Sequence, residues 1–267
     1  MPEIVGRGAS ADVLAWDAGT VLKLFHPRYA YAVDLELVRA RAVHALGAPC
    51  PAVLGEVEHD GRRGIVYERI DGPLLGAALA GGPAEIPRVA ERLAELHLEL
   101  HALRVPEGSG LPRLSGLLRA HVERMPPRER AIAEPERAKL PDDVRLCHMD
   151  LHPLNVIAAR ERLVVVDWVN ACAGPLVLDV ARSIAVMAWQ GAEHVAGAYP
   201  ALRLALADAY RNAMLARTSL DPAQLERAVW FAADAILRQQ PENAYAAQLR
   251  AGIPWLREQP EPREQSA

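Results

Sequence analysis

The feature that most limits how this chain can fold is a change of hydrophobic period at Asp71-Gly72-Pro73. Before it, apolar residues come in short runs cut by turn residues. After it, they recur at helical spacing. Ala11–Trp16 and Thr20–Phe25 read as strands joined by Asp17-Ala18-Gly19, and Ala52–Glu58 and Gly64–Ile70 as a second pair joined by His59-Asp60-Gly61. One helix, about Ala30 to Leu46, lies between the pairs, and Gly47 and Pro49 stop it. Beyond Pro73, Ile86–Leu103 carries Leu93, Leu96, Leu100 and Leu103 on one face, and Arg113–Arg124 forms another helix that ends before Pro126-Pro127. Pro127–Asp143 is charged and broken by prolines, which predicts an exposed connection with one or two helical turns. Val156–Ala158 and Leu163–Val166 predict two short strands, and helices are expected over roughly 176–190, 201–216, 221–239 and 242–250.

The expected fold class is therefore α+β and bilobal. A small lobe with an antiparallel sheet and one helix spans 1–70, a larger and mostly helical lobe spans 71–257, and 258–267 is a polar tail expected to be disordered. No internal repeat is present.

Composition narrows the function. The net charge is −4 over 267 residues, so no basic excess points to nucleic acid or an anionic membrane. Apolar runs are short, and the N-terminus lacks a basic start followed by an apolar stretch, which predicts a cytoplasmic protein. Three cysteines without CxxC spacing fit a reducing compartment. A monomer is the default expectation. Of the 30 basic residues, only Lys23 and Lys139 are lysines. A lysine inside the apolar strand Val21-Leu22-Lys23-Leu24-Phe25 therefore calls for a reason, and a compact ammonium suits phosphate oxygens.

Most of the chemistry lies in Cys147-His148-Met149-Asp150-Leu151-His152-Pro153-Leu154-Asn155-Val156 and in the following Val164-Val165-Val166-Asp167-Trp168. Two acids and an amide each adjoin a β-type apolar segment, a layout that holds polar heads in loops anchored by strands. Phosphoryl transfer needs such a set: a carboxylate to orient an acceptor hydroxyl, and oxygen ligands for Mg²⁺. His148 and His152 are four apart, but no third ligand has zinc-like spacing, so packing and local hydrogen bonding are their expected roles. In the first lobe, Gly6-Arg7-Gly8-Ala9-Ser10 is a glycine-bearing turn whose backbone can approach phosphates, with Ser10 as a further donor.

The pattern H-x-D-x-H-x-x-N, then a strand ending in Asp-Trp, then Gly174-Pro175 and Asp179, resembles the aminoglycoside phosphotransferase and choline kinase superfamily, which has the protein-kinase-like fold. The resemblance covers nearly the whole chain in order. It implies Asp150 as catalytic base, Asn155 and Asp167 as Mg²⁺ ligands, and Asp179 as a brace for the catalytic loop. It implies that Gly6, Gly8, Ser10 and Lys23 meet the phosphates of ATP or GTP and that Glu36, chosen over Asp34, holds Lys23. At the hinge, the Glu68 carbonyl and Ile70 amide are expected to face the base, with Tyr67 behind it. Ala11 stands where protein kinases carry a third glycine, a departure in the phosphate loop.

The function expected from this resemblance is a Mg²⁺-dependent small-molecule kinase that moves the γ-phosphoryl group to a hydroxyl, as aminoglycoside phosphotransferases do. The alternatives are a choline- or homoserine-type metabolite kinase and a nucleotide-binding pseudoenzyme. Between Asp167 and Asp179 there is no room for the long activation loop of a protein kinase. Trp189, Trp230, Phe231 and Trp255 are candidates for an aromatic wall around a quaternary ammonium, or else for core.

Overall fold

The computed structural model describes residues 2–160, 162–190, 197–242 and 244–257. The expected disordered tail, 258–267, lies outside the described residues. The N-terminal part is built from strands β1 (Ile4–Arg7), β2 (Ala11–Ala15), β3 (Thr20–Phe25), β4 (Val53–His59) and β5 (Arg62–Glu68), with helix α1 (Ala32–Ala45) between β3 and β4. The strands form one antiparallel sheet in the order β1-β2-β3-β5-β4. The β4–β5 turn places Asp60 at φ 49° and Gly61 at φ 68°, two left-handed residues in succession, which matches the right-handed twist of a hairpin. Helix α1 stops where Gly47 adopts φ 78°.

Alternation along β3 divides the lobe. Leu22 and Leu24 point to one face with Leu14 and Val66. Phe25 points to the other with Ile65, Ala32 and Val33, against α1. Lys23 has the parity of Phe25, so the strand period alone aims it at α1.

The remainder is mostly helical: α2 (Ile86–Ala102), α3 (Leu114–Glu123), α4 (Pro127–Arg137), α5 (Leu176–Trp189), α6 (Tyr199–Arg217), α7 (Pro222–Gln239) and α8 (Ala246–Gly252). Two small ladders lie between α4 and α5. In one, β6 (Arg145–Cys147) pairs with β9 (Cys172–Gly174). In the other, β7 (Val156–Ala158) pairs with β8 (Leu163–Val165). Every residue from Val177 to Ala188 is buried, so α5 is a central helix packed on all sides, chiefly by α6 and α7. Asp179, Arg182 and Ser183 are polar residues inside this buried stretch. Buried charge needs partners, and those partners turn out to be the site.

The structure corrects the reading of Pro127–Asp143. Its first eleven residues form α4, a full helix despite Pro135. Pro127 sits at a position where a missing N–H costs nothing, Ala133 is buried, and Glu129 and Glu136 pair with Arg238 and Arg227 of α7. Two of the charges that suggested solvent, Glu129 and Glu136, make tertiary ion pairs. Strands β1, β6 and β9 were not expected, because, unlike the equally short but apolar β7 and β8, they are interrupted by Arg or Gly. No helix among the described residues is long and apolar enough to cross a membrane.

Candidate active site

Lys23 is the junction between the sheet and the helical part. Its Nζ lies 2.8 and 2.7 Å from the two Glu36 carboxylate oxygens and 2.9 Å from Asp167 Oδ1. Glu36 is 1% exposed, and the Tyr67 hydroxyl donates to its Oε1 at 2.9 Å. Burial works against the Lys23 ammonium, but Asp167 and Glu36 together outweigh it and hold the lysine above its ordinary range. Burial likewise opposes ionisation of Asp167, and Lys23 overcomes it, so that carboxyl titrates below its usual value. Arg39 of α1 donates to the Val169 carbonyl, a second tie between this helix and the Asp167 segment.

The glycine-bearing turn joins β1 to β2. Gly6 pairs with Val13, Val13 with Lys23 and Lys23 with Ile65, so these residues form one cross-strand row on the same face. Gly8 N–H donates to the Ala11 carbonyl at 2.9 Å, and the Ser10 carbonyl accepts from His26 N–H at 2.9 Å. A Cβ at Gly6 or Gly8 would meet nothing closer than 3.4 Å, so internal packing does not demand glycine at either position. At the end of β5, Glu68 N–H bonds the Ala52 carbonyl and Arg69 N–H bonds the Gly19 carbonyl. Because the Arg69 N–H faces β3, the Glu68 carbonyl of the same trans peptide points away from it.

Strand β6 runs into Met149, a non-glycine residue at φ 63°. That left-handed conformation is costly and persists only where surroundings impose it. Here Asp179 imposes it: its Oδ2 accepts from His148 N–H at 2.8 Å and its Oδ1 from Met149 N–H at 2.7 Å. His97 Nε2 lies 2.9 Å from Asp179 Oδ2, and Tyr210 OH backs the other ring nitrogen. Asp179 is fully buried, and the push of burial is overcome by His97 and the backbone donors, so its carboxyl titrates below the usual value.

His148 links the two loops. Its Nε2 lies 3.1 Å from the Val166 carbonyl, its Nδ1 accepts from Asp150 N–H at 3.2 Å, and its ring meets Trp168 edge-on at 4.6 Å. Those partners define a neutral imidazole protonated at Nε2, and burial lowers its pKa accordingly. His152 Nδ1 accepts locally from Leu154 N–H. Asp150 leads into a 3-10 turn, Pro153–Asn155, from which Asn155 Nδ2 returns to the Asp150 carbonyl at 3.0 Å. The Asn155 carbonyl accepts from Val166 N–H, and Asp167 follows at φ 66°. Two left-handed non-glycine residues, Met149 and Asp167, thus flank the same small space. Burial raises the Asp150 carboxyl above its ordinary value, against the nearby His152 and Arg182. Among the described residues, the buried Asp150 Oδ1 has no hydrogen-bond partner.

Lys23, Glu36, Asp150, Asn155 and Asp167 are therefore brought into one connected cluster. Gly6 adjoins it through the cross-strand row, whereas Gly8, Ser10, Glu68 and Ile70 lie along the sheet without a hydrogen bond to it. Among the described residues no group of three or more His, Cys, Asp and Glu is placed to hold a metal by itself. Two of the four aromatic-wall candidates are core: Phe231 and Trp255 are 3% exposed and meet at 4.7 Å, tilted by 34°, within a second core where Trp255 Nε1 donates to buried Asp234, while Trp189 and Trp230 are half-buried. Sequence reading missed His97 and Arg182. A histidine on the Leu93–Leu96–Leu100 face of α2 was the available signal for the first.

A five-stranded sheet with a lysine–glutamate pair, set on a helical lobe that carries Asp150, Asn155 and Asp167, defines the kinase-like class of phosphotransferases. The model of the phosphotransferase enzyme family matches residues 3–223, so the chain belongs to that family and is a small-molecule kinase. No curated protein matches the chain. Among solved structures it is similar to a choline/ethanolamine kinase family protein from Mesorhizobium loti, at 16% identity and TM-score 0.61, covering 98% of this chain and 89% of that one. It is also similar to an aminoglycoside-3'-phosphotransferase of type VIII, at 19% identity and TM-score 0.59, covering 87% and 93%. A third similar structure is an aminoglycoside phosphotransferase in ternary complex with streptomycin and ATP, at 13% identity and TM-score 0.56, covering 96% and 90%. At these identities the likeness establishes the fold.

Proposed function

We propose that this kinase moves the γ-phosphoryl group of ATP or GTP, with Mg²⁺, to a hydroxyl of a small acceptor, with Asp150 as base. The observation that carries this reading is the connected cluster itself: Lys23 is held by Glu36 against Asp167, with Asp150 and Asn155 on the adjoining loop. Asp150 takes the acceptor proton as the acceptor oxygen bonds to the γ-phosphorus, the bond to the bridging oxygen breaks, and the nucleoside diphosphate leaves. The unpartnered Oδ1 of Asp150 is the free acceptor such a base needs.

Asp167 and Asn155 would hold the Mg²⁺. The Asn155 amide nitrogen is committed to the Asp150 carbonyl, which leaves its oxygen as a ligand, and a carboxylate plus an amide oxygen suits an ion that keeps water and phosphate in its shell. When bound, the ion would neutralise charge on the phosphate oxygens. Lys23 meets the inner phosphates, the Gly6–Gly8–Ser10 turn lies over them, and the Glu68 carbonyl and Ile70 amide pair with the base. Spare room at Gly6 and Gly8 supports a turn kept bare for a ligand.

An aminoglycoside-type acceptor is the first reading of the substrate. A small-metabolite alcohol is the second, favoured by one observation. The helical lobe sets the cationic Arg182 beside Asp150. A polycation gains nothing from such a neighbour. The test is release of ADP or GDP with Mg²⁺ across a panel of aminoglycosides, choline, ethanolamine and hydroxy amino acids, with Asp150→Asn as control. Turnover with one acceptor, lost in Asp150→Asn, is expected. Nucleotide binding without turnover on any acceptor would make the chain a pseudoenzyme.

A further inference from the structure

We infer that Arg182 is a positioning residue for the base loop, acting as the second jaw of a clamp whose first jaw is Asp179. This inference rests on the reading of Asp150 as base.

The geometry is specific. Asp179 and Arg182 lie one turn apart on α5 and so share a face. Asp179 accepts from the Met149 N–H at 2.7 Å, and Arg182 Nε donates to the Met149 carbonyl at 3.3 Å. Both polar backbone groups of the left-handed residue that precedes Asp150 are thereby held by one helix. The peptide that joins Met149 to Asp150 is held at its N–H by His148 Nδ1, 3.2 Å away, so Arg182 supplies the second hold on that one peptide, at its carbonyl. Gripping the carbonyl as well fixes the direction in which Asp150 leaves the turn. The third contact extends the clamp: Arg182 Nη2 donates to Gln190 Oε1 at 3.0 Å, at the C-terminal end of α5.

The side chain is built for this task and for little else. Arg182 is 9% exposed and has no carboxylate in hydrogen-bond contact among the described residues. A buried guanidinium that meets the Asp150 charge without a direct hydrogen bond to it is a poor device for stability, since apolar replacement of buried charge is often neutral or stabilising. A planar fork that reaches a backbone carbonyl and a side-chain amide together requires arginine, because a lysine ammonium is a single point donor on a flexible stem. Stability therefore does not account for the residue, whereas aim of the neighbouring base does.

The test compares wild type, Arg182→Met and Arg182→Lys as full-length proteins, with the acceptor identified in the panel. Loss of about 1 Å of precision in a reacting group costs on the order of 100-fold in rate. Arg182→Met is expected to lower kcat by about that factor, with unchanged nucleotide affinity and unchanged melting temperature, and added guanidinium is expected to restore much of the loss. Arg182→Lys should fall between. Unchanged kcat in Arg182→Met, or parallel loss of nucleotide binding and folding with no recovery by guanidinium, would overturn the inference.

A readout independent of turnover separates this from failure of the functional reading. Hydrogen exchange in peptides spanning residues 147–152 should accelerate in Arg182→Met, while exchange around Lys23 and Glu36 stays as in wild type. Wild type without turnover on any acceptor refutes the functional reading, and the exchange result then decides the clamp: equal exchange at 147–152 sinks it, selective acceleration upholds it.

Discussion

Lys23 Nζ stands 2.9 Å from Asp167 Oδ1, and this contact joins the central strand of the sheet to the loop after β8 across 144 residues of chain. The same ammonium is gripped by both oxygens of Glu36. Glu36 is almost wholly buried, whereas the Asp167 side chain is 31% exposed and can turn to water. Removal of the lysine therefore strands Glu36 first. Lys23→Met is expected to cost about 3 kcal/mol in chemical denaturation, as for a buried pair broken on one side. The double variant Lys23→Met with Glu36→Leu should recover most of that stability but no activity. Equal stability of the two variants would refute the burial argument.

Asp150→Asn keeps the side-chain shape and removes the carboxylate proposed as base. Turnover is expected to fall by about 1000-fold, with nucleotide affinity unchanged in calorimetry. A variant that retains wild-type turnover would assign the base to another group.

Asp179 provides a pH signature. Its carboxyl titrates below the ordinary value in the folded chain, so its contribution to stability is present above about pH 4 and is lost as pH falls through the depressed folded pKa. Asp179→Asn presents an N–H to a site that needs two acceptors, and should cost about 3 kcal/mol at neutral pH. The gap between the two proteins should narrow below pH 4 in denaturation curves measured stepwise. A gap that stays constant into acid would contradict the ionised brace.

Gly72 is a packing test of the connection between sheet and helices. It has φ 156°, and a Cβ there would fall 2.4 Å from the Ala158 carbonyl oxygen at the end of β7. The atoms it would meet, in Ala158 and Ala159, are all backbone, so Gly72→Ala must shift backbone. A loss of about 2 kcal/mol is expected, read as a lower melting temperature, whereas Gly55→Ala, with nothing within 4 Å of its Cβ, serves as the mild comparison.

The three thiols should be inert in the folded chain. Cys50, Cys147 and Cys172 are free and buried, and burial pushes the Cys50 thiol up to about 12. A thiol reagent at pH 8 is expected to label none in native protein and all after unfolding. Rapid native labelling would show that the α1–β4 connection or the β6–β9 ladder opens readily.

Much of the architecture was legible because it is periodic. Strand β3 has the bounds that alternation predicted, and α2 and α5 follow from apolar faces many residues long. Helix α4 was misread because Glu129 and Glu136 look solvated in a linear chain, while their partners on α7, Arg238 and Arg227, lie 109 and 91 residues away. Strands β6 and β9 were silent for the same reason: each exists only because the other lies beside it.

What the sequence determined by itself is the set of candidate polar groups and the parity that aims Lys23. A rare lysine in an apolar strand, the His148–Asn155 stretch and the Asp167-Trp168 end of a strand are local patterns, and local patterns survive without knowledge of the fold. What only the tertiary structure decided is how tightly those groups are held. The grip of Asp179 and Arg182 on Met149, the support of His97 behind Asp179, and the meeting of Lys23 with Asp167 are contacts between distant segments. Their strength depends on burial, and burial is a property of the packed chain alone.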